Sequence, residues 1–274
     1  MEPETWLTAL FDKFLAGPAN TVLAWVGLKA ADPAHPWADY VTMELLVALI
    51  VVVVFALLRR RLSPDRPGVF QHCFELMYDF LAGQTDEVVG PRGREYLAFF
   101  GTIFIFVLFA NLLGAIPSLE SPTMYVPVPL GCAMATFLYY NVIGIGLQGP
   151  LGYLKHFFGP APALAVLMFP IEVISNCARL LSLTVRLYAN MFAGEQVILA
   201  FTGLVPLILP LPFMGLHIFV AFLQAYVFAL LTMVYVSDVL PHAAEHQQRA
   251  DSLQCEPGGP PGHAVEPPPE GAHS

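Results

Sequence analysis

Two charged side chains interrupt the apolar stretch LLSLTVRLYANMFAGEQVILAF, residues 180–201. Arg186 lies at its centre and Glu195 near its end. A charge in the middle of a bilayer costs about 2.5–3.5 kcal/mol on insertion scales, so something must offset it, most simply a carboxylate on a partner. A carboxyl group takes up and releases protons, whereas arginine keeps its proton in a protein. These residue types therefore predict proton transfer at the carboxyl group and a barrier to it at the arginine.

The neighbouring polar residues form one stripe if residues 165–200 are helical. At 100° per residue they fall within about 40° of Arg186 around the helix axis. The stripe consists of Glu172, Ser175, Arg179, Ser182 and Asn190. Glu195 would point about 180° away from Arg186 on a straight helix. We therefore expect either a distortion near Gly194 or a separate partner for Glu195.

The last apolar segment carries a second polar stripe. Its members are His217, Gln224, Tyr235 and Asp238. If the two segments form an antiparallel hairpin that turns near Pro206, facing residue numbers have a nearly constant sum. The predicted facing pairs are Arg186 with Gln224, Glu195 with His217, and Glu172 with Asp238. Taken singly, Ser182 or Asn190 is also explained as a helix-packing contact, and Asp238 as a residue that marks a helix end.

The rest of the chain must supply helices that hold these stripes in a membrane. Of its 274 residues, 57% are hydrophobic and 12% are charged, whereas soluble domains carry about 25% charged residues. The composition predicts an all-α polytopic membrane protein with about five transmembrane helices and a long antiparallel hairpin at the C-terminal end. The apolar segments behind this prediction are 41–58, 97–116, 127–147, 161–204 and 212–236, with a loop over 149–162.

The chain divides into three parts. Residues 1–40 are predicted to form an outside segment with an interfacial helix at 4–15. Residues 41–246 form the transmembrane domain, and the segment 247–274, rich in proline, glycine and glutamate, is predicted to be a disordered tail. Most arginines lie between the first two spans, which by the positive-inside rule places the N-terminus outside and the C-terminus in the cytoplasm.

Charge and cysteine spacing argue against several other classes. The net charge of −9 disfavours a nucleic-acid partner, and no CxxC spacing indicates zinc or haem, so no cofactor is expected. A secondary transporter for an anionic substrate is the alternative, but it would predict internal repeats, which the sequence lacks. A haem or quinone subunit would need paired histidines on facing spans, and His217 has no convincing intramembrane counterpart.

Several stretches of the sequence resemble one known family. LSLTVRLYANMFAGE followed by GLHIFVAFLQAYVFALLTMVYVSDV looks like the signature of subunit a of F-type ATP synthase, bacterial type. GVFQHCFELMYDFLAGQTDEVVG, FFGTIFIFVLFANLLGAIPSLESPT and GYLKHFFGP agree with it. The resemblance covers roughly residues 41–245. It implies a non-catalytic subunit with strongly tilted paired helices, which lies in the bacterial plasma (inner) membrane against the c-subunit ring and the b-subunit peripheral stalk.

The resemblance also implies roles for several residues of the stripes. Two half-channels open to opposite sides and meet ring carboxyl groups, and Arg186 matches the essential arginine between them. The outside half-channel matches Asn190, Glu195, His217 and Gln224, and the cytoplasmic one matches Glu172. Ser182 and Asp238 are the remaining candidates for the proton path. Arg179 matches no assigned position, and SPTMYVPVPLG lacks the polar pattern common in bacterial relatives, so no role is carried over to that loop.

Overall fold

The computed structural model describes residue 8 and residues 39–61, 68–116, 119–158, 162–204 and 210–254. The interfacial helix predicted at 4–15 lies outside this part of the chain except for Thr8, and so does the tail beyond residue 254. The described residues form helices, turns and short connections, with no strand among them. The predicted all-α fold is confirmed.

Six α-helices account for most of the described chain. In order they are α1 (Asp39–Arg61), α2 (Val69–Val88), α3 (Leu97–Leu113), α4 (Pro127–Phe158), α5 (Pro162–Leu204) and α6 (Pro210–Gln254). By length and composition, α1, α4 and α6 each contain a segment suited to crossing a membrane. The helix α3 is apolar but only 17 residues long, and α5 carries the charged stripe. The chain is therefore a polytopic membrane protein.

Two helices extend further than the sequence predicts. The loop predicted over 149–162 is wrong for residues up to Phe158, because Gly149 (φ 71°, ψ 158°) only kinks α4 before the helix resumes. Pro150 is the first residue after that break, a position at which the missing N–H of proline has no intrahelical partner to lose. The helix α6 likewise continues to Gln254, past residue 247, at which the disordered tail is predicted to begin.

One hydrophobic core joins the five helices α2 to α6. Phe104 of α3, Leu187 and Met191 of α5, and Phe228 of α6 are all fully buried in it. The spacing of four residues between Leu187 and Met191 places them on one face of α5. Large apolar side chains such as Leu181 (60% exposed) lie on the outer side of the same helix. The helix therefore turns one face to the bundle and leaves another available to lipid or a partner.

Candidate functional site

The helices α5 and α6 form an antiparallel hairpin. The close pairs are Gly194 with His217, Asn190 with Gln224, and Arg179 with Asp238. Their residue numbers add to 411, 414 and 417. The antiparallel arrangement agrees with the predicted one, but the register drifts by six residues between the first pair and the last. That drift is about 9 Å along the helix axis, and the long side chain of Arg179 spans part of it.

A group that we call the Glu195 cluster lies at one end of the hairpin, where α5 and α6 meet the end of α3. The imidazole of His217 is seated on Gly194, at which an added Cβ would lie 2.6 Å from Nδ1. The carboxylate of Glu195 faces Gly114, where an added Cβ would lie 3.1 Å from Oε2. Ser121 packs against the same glycine. Two glycines therefore give Glu195 and His217 their room.

This arrangement explains why Glu195 leaves the polar stripe. The helix α5 is continuous through Gly194, and the two glycines with positive φ among the described residues are Gly90 and Gly149. The helix is therefore not distorted at this point. Glu195 points away from Arg186 because it faces the end of α3, so the expectation of a separate partner is the one that holds.

The buried polar atoms of this region are unusually short of partners. Five buried side-chain polar atoms make no hydrogen bond within the described part of the chain, and four of them belong to three of the predicted site residues. They are Oε2 of Glu195, Nδ1 and Nε2 of His217, and Nε2 of Gln224. Buried polar atoms in native proteins nearly always have a partner, in protein or in water. This end of the hairpin is therefore suited to holding water or an exchangeable proton.

A hydrogen-bonded group of polar residues that the sequence did not indicate lies beside the Glu195 cluster, at the end of α3 and in the turn that follows it. The hydroxyl of Thr123 donates to Oδ1 of Asn111 at 2.8 Å, and the amide of Asn111 donates to the backbone carbonyl of Ala221 at 3.3 Å. Ser121 lies 2.7 Å from Thr123 and donates to the carbonyl of Ala110. These bonds tie the turn after α3 to α6. Ser121 and Thr123 are visible in the sequence as part of SPTMYVPVPLG, but no role was carried over to that loop because it departs from the family pattern.

Arg186 lies between this cluster and the opposite end of the hairpin. Within the residues that the structure describes, it makes no ion pair and no hydrogen bond with a side chain. One turn further along α5, the amide of Asn190 donates to Oε1 of Gln224 at 2.7 Å. Ser182 is exposed one turn before Arg186. A half-buried arginine is thus flanked one turn away on either side by small or amide side chains, and no described carboxylate forms an ion pair with it.

A second group, which we call the Arg179 cluster, crosses three helices at the other end. Its members are Tyr140 of α4, Glu172, Asn176 and Arg179 of α5, and Tyr235 and Asp238 of α6. Arg179 donates to Oδ2 of Asp238 at 2.8 Å, and its guanidinium lies 5.3 Å from the ring centre of Tyr235. The hydroxyl of Tyr140 donates to Oδ1 of Asn176 at 2.7 Å.

The same cluster holds Glu172. The amide of Asn176 donates to the backbone carbonyl of Glu172 at 2.9 Å and reaches its Oε1 at 3.3 Å. Asn176 is buried and Tyr140 is almost fully buried, so their hydrogen bond is shielded from solvent. The two halves of the cluster meet where the rings of Tyr140 and Tyr235 lie 6.0 Å apart. A continuous chain of contacts therefore runs from Asp238 to Glu172.

None of the three predicted facing pairs forms a hydrogen bond or an ion pair within the described part of the chain. Gln224 bonds to Asn190 and not to Arg186, and Asp238 bonds to Arg179 and not to Glu172. Glu195 and His217 lie next to one another along the hairpin but are not within ion-pair distance. Residue-number sums ignore side-chain length and direction, and helical side chains lean toward the N-terminus of their own helix. The antiparallel hairpin was predicted correctly, whereas its register toward the Arg179 end and its contacts were not.

Fold and site together define a class. The chain is an all-helical, membrane-embedded protein with an arginine that has no ion-pair partner among the described residues and lies between two polar clusters on one long helix hairpin. Comparison with known families then identifies the family within that class. The family described as ATP synthase A chain matches residues 41–237 of the chain. The chain belongs to this family of subunit a of the F-type ATP synthases, and hence to that complex.

Individual relatives agree over nearly their whole length. The chain is 58% identical to ATP synthase subunit a of Solibacter usitatus over 233 residues, which are 85% of this chain and 99% of the relative. It is 45% identical to ATP synthase subunit a of Koribacter versatilis over 88% of this chain and 99% of that protein. The ATP synthase subunit a of a Sulfurihydrogenibium species is 40% identical over 76% of this chain and 99% of that protein.

Proposed function

We propose that this chain is the stationary, non-catalytic proton path of its complex. Two half-channels deliver protons to and from the carboxyl groups of a rotating c-subunit ring, and Arg186 separates them. The proton flow drives rotation of the ring and thereby ATP synthesis. The b-subunit peripheral stalk holds the chain still in the bacterial inner membrane, with the N-terminus outside and the C-terminus in the cytoplasm.

One observation carries the proposal: Arg186 lies between two polar clusters and is bonded to neither. Glu195 is about 13 Å from it along the helix and Glu172 about 21 Å, at 1.5 Å per residue. An arginine within a membrane that has no ion-pair partner among the described residues calls for a carboxylate on a partner. A ring carboxylate supplies that charge, and the arginine favours its ionised form. Since arginine does not release its proton, it also prevents direct passage between the half-channels.

The Glu195 cluster fits the outside half-channel. Several of its buried polar atoms have no hydrogen-bond partner in the described chain. A row of water molecules would provide those partners. Glu195 and His217 are titratable groups and can each hold a proton for part of the passage. Asn190 and Gln224, which bond to each other, line the step from this cluster to Arg186.

Glu172 fits the cytoplasmic half-channel. It lies on α5 at the opposite end from Glu195, is half-buried and is oriented by Asn176. Ser182 lies between Glu172 and Arg186 on the exposed side of the same helix. Asp238 belongs to the same end of the hairpin, where it neutralises Arg179. Protons that leave the ring on this side would therefore pass Ser182 before reaching the carboxylate.

The test is ATP synthesis driven by a proton gradient in membrane vesicles that carry Arg186→Ala. We expect synthesis to be abolished while the complex still assembles, together with a passive proton leak that an inhibitor of the ring carboxyl group blocks. Arg186→Lys should also fail, because lysine is a compact charge that can lose its proton.

Arg94→Ala is the matched control, since Arg94 is an arginine outside the hairpin with its own aspartate partner. It should leave synthesis near the wild-type rate. Synthesis close to normal in Arg186→Ala vesicles, at equal amounts of assembled complex, would contradict the proposed function.

A further inference from the structure

The Arg179 cluster contains an arginine that the proposed proton path does not use. Arg179 lies seven residues before Arg186, about two helical turns away and on nearly the same side of α5. Unlike Arg186, it is fully engaged: Asp238 accepts its hydrogen bond and Tyr235 lies under its guanidinium. The two arginines of one helix are therefore in opposite states, one bound within the chain and one left available.

Beyond its direct partner Asp238, the contacts of Arg179 lead to Glu172. Tyr235, which the guanidinium covers, packs against Tyr140. The hydroxyl of Tyr140 fixes Asn176, and Asn176 bonds to the carboxylate and backbone carbonyl of Glu172. Arg179 also lies within electrostatic range of both Tyr140 and Glu172.

We propose that Arg179 is a positioning residue of the cytoplasmic half-channel. The ion pair with Asp238 locks α5 to α6, the guanidinium holds the ring of Tyr235 against Tyr140, and Tyr140 and Asn176 then orient the carboxylate of Glu172. This inference rests on the proposed function, because it gives Glu172 a role in proton passage. In this role Arg179 acts through other residues and does not itself contact the proton.

Burial explains why such a chain of contacts can transmit orientation. Tyr140 is 2% exposed and Asn176 is 8% exposed, so their bond has little competition from water. An amide that bonds to a phenol on one side and a carboxylate on the other has few alternative rotamers. The charged and titratable groups that surround Arg179 are Asp238 and Tyr235 on α6, Tyr140 on α4 and Glu172 on its own helix.

The experiment measures ATP-driven proton pumping per assembled complex in inverted membrane vesicles. Arg179→Gln should lower the rate about tenfold, the order expected when one charge-assisted hydrogen bond leaves a functional network. Tyr140→Phe removes the hydroxyl that fixes Asn176, leaves the ion pair intact and should give a loss in the same direction. Arg94→Gln is the matched control, because it breaks the Arg94–Asp86 pair outside the hairpin, and it should pump normally.

A double-mutant cycle separates positioning from a purely structural role. In a Glu172→Gln background, Arg179→Gln should cause little further loss, because its effect passes through the Glu172 carboxylate. A structural role would instead multiply the two losses. Arg179→Lys should recover part of the rate, since it keeps a charge for Asp238 but not the planar group that stacks on Tyr235.

Two results would overturn the inference. One is pumping in Arg179→Gln equal to that in Arg94→Gln, and the other is a loss that multiplies with that of Glu172→Gln. Either result leaves the proposed function intact as long as Arg186→Ala abolishes synthesis. If Arg186→Ala vesicles synthesise ATP normally, the proposed function fails first, and the two failures are thereby distinguished.

Discussion

The two ends of the α5–α6 hairpin handle buried polarity in opposite ways. In the Arg179 cluster each charged or amide side chain has a partner from its own chain, as in the bonds of Arg179 to Asp238 and of Asn176 to Tyr140. In the Glu195 cluster, Glu195 and His217 carry buried atoms that no described residue satisfies. A satisfied network stiffens a structure, whereas unsatisfied atoms keep their affinity for water or protons. The Arg179 cluster is therefore suited to keeping side chains in fixed positions, and the Glu195 cluster to binding and releasing water or protons.

The strongest test of this contrast targets the end with unpartnered atoms. Glu195→Gln should lower proton pumping about 100-fold, the range of a lost acid–base group, with assembly unchanged. His217→Ala should have a smaller effect. If a shared file of water links the two side chains, the double variant will lose much less than the product of the single losses. Independent residues would add within about 0.5 kcal/mol.

The result of that cycle also decides between two interpretations of the hairpin. Strong coupling would mean that Glu195 and His217 act on one proton although no direct bond joins them. Additive losses would mean that they serve separate steps, and the contrast between the two ends would then rest on Glu195 alone. Asp238→Asn provides the comparison at the partnered end, where the loss should be severalfold smaller.

A glycine substitution tests the same end more gently. A Cβ at Gly194 would lie 2.6 Å from the imidazole of His217, so Gly194→Ala must displace that ring. We expect a loss of pumping of about tenfold from a misplaced proton carrier. Gly203→Ala is the matched control on the same helix, because no atom lies within 4 Å of the added Cβ. It should pump at the wild-type rate and stabilise α5 slightly, since alanine has a higher helix propensity than glycine.

A wild-type rate in Gly194→Ala would show that the position of His217 does not matter. The imidazole of His217 would then only fill space between the helices, and Glu195 alone would bind and release protons at this end. A loss of assembled complex in both glycine variants would instead indicate a general sensitivity of α5, which the rate per assembled complex corrects for.

Sequence periodicity predicted the scaffold of this site better than its contacts. The stripe around Arg186 and the antiparallel hairpin follow from the helical repeat, which is a local property of the chain. The bond of Arg179 to Asp238 does not, because it depends on how far a long side chain reaches between two helices whose register drifts. The helical repeat correctly predicted that Glu195 points away from Arg186. Its neighbour Gly114, however, lies at the end of a different helix, α3. No single-helix pattern contains that information.

The smallest effect is expected at an ion pair outside both clusters. Arg94 donates three hydrogen bonds from its side chain to Asp86, the shortest at 2.7 Å, between the end of α2 and the turn before α3. The hydrogen bond from Arg94, together with its charge, holds the pKa of Asp86 below the ordinary value of 3.8. Both side chains are exposed to solvent, so the pair resembles the Arg179–Asp238 pair in chemistry but not in surroundings.

Its pH dependence follows from the sign of that shift. A carboxylate whose pKa is lowered by folding stabilises the folded state above its unfolded pKa, and this contribution is lost as the pH falls through the lowered value. Arg94→Gln should therefore lower the inactivation temperature of the purified complex by the same small amount, about 1 °C or less for an exposed pair, at pH 7 and at pH 5. The difference should shrink only as the pH falls below the unfolded pKa and through the lowered pKa of Asp86. A larger difference that changes between pH 5 and pH 7 would mean that another titrating group depends on Arg94. The pair could then no longer serve as the reference for an ion pair that only holds structure, and the comparison with Arg179 would need a different control.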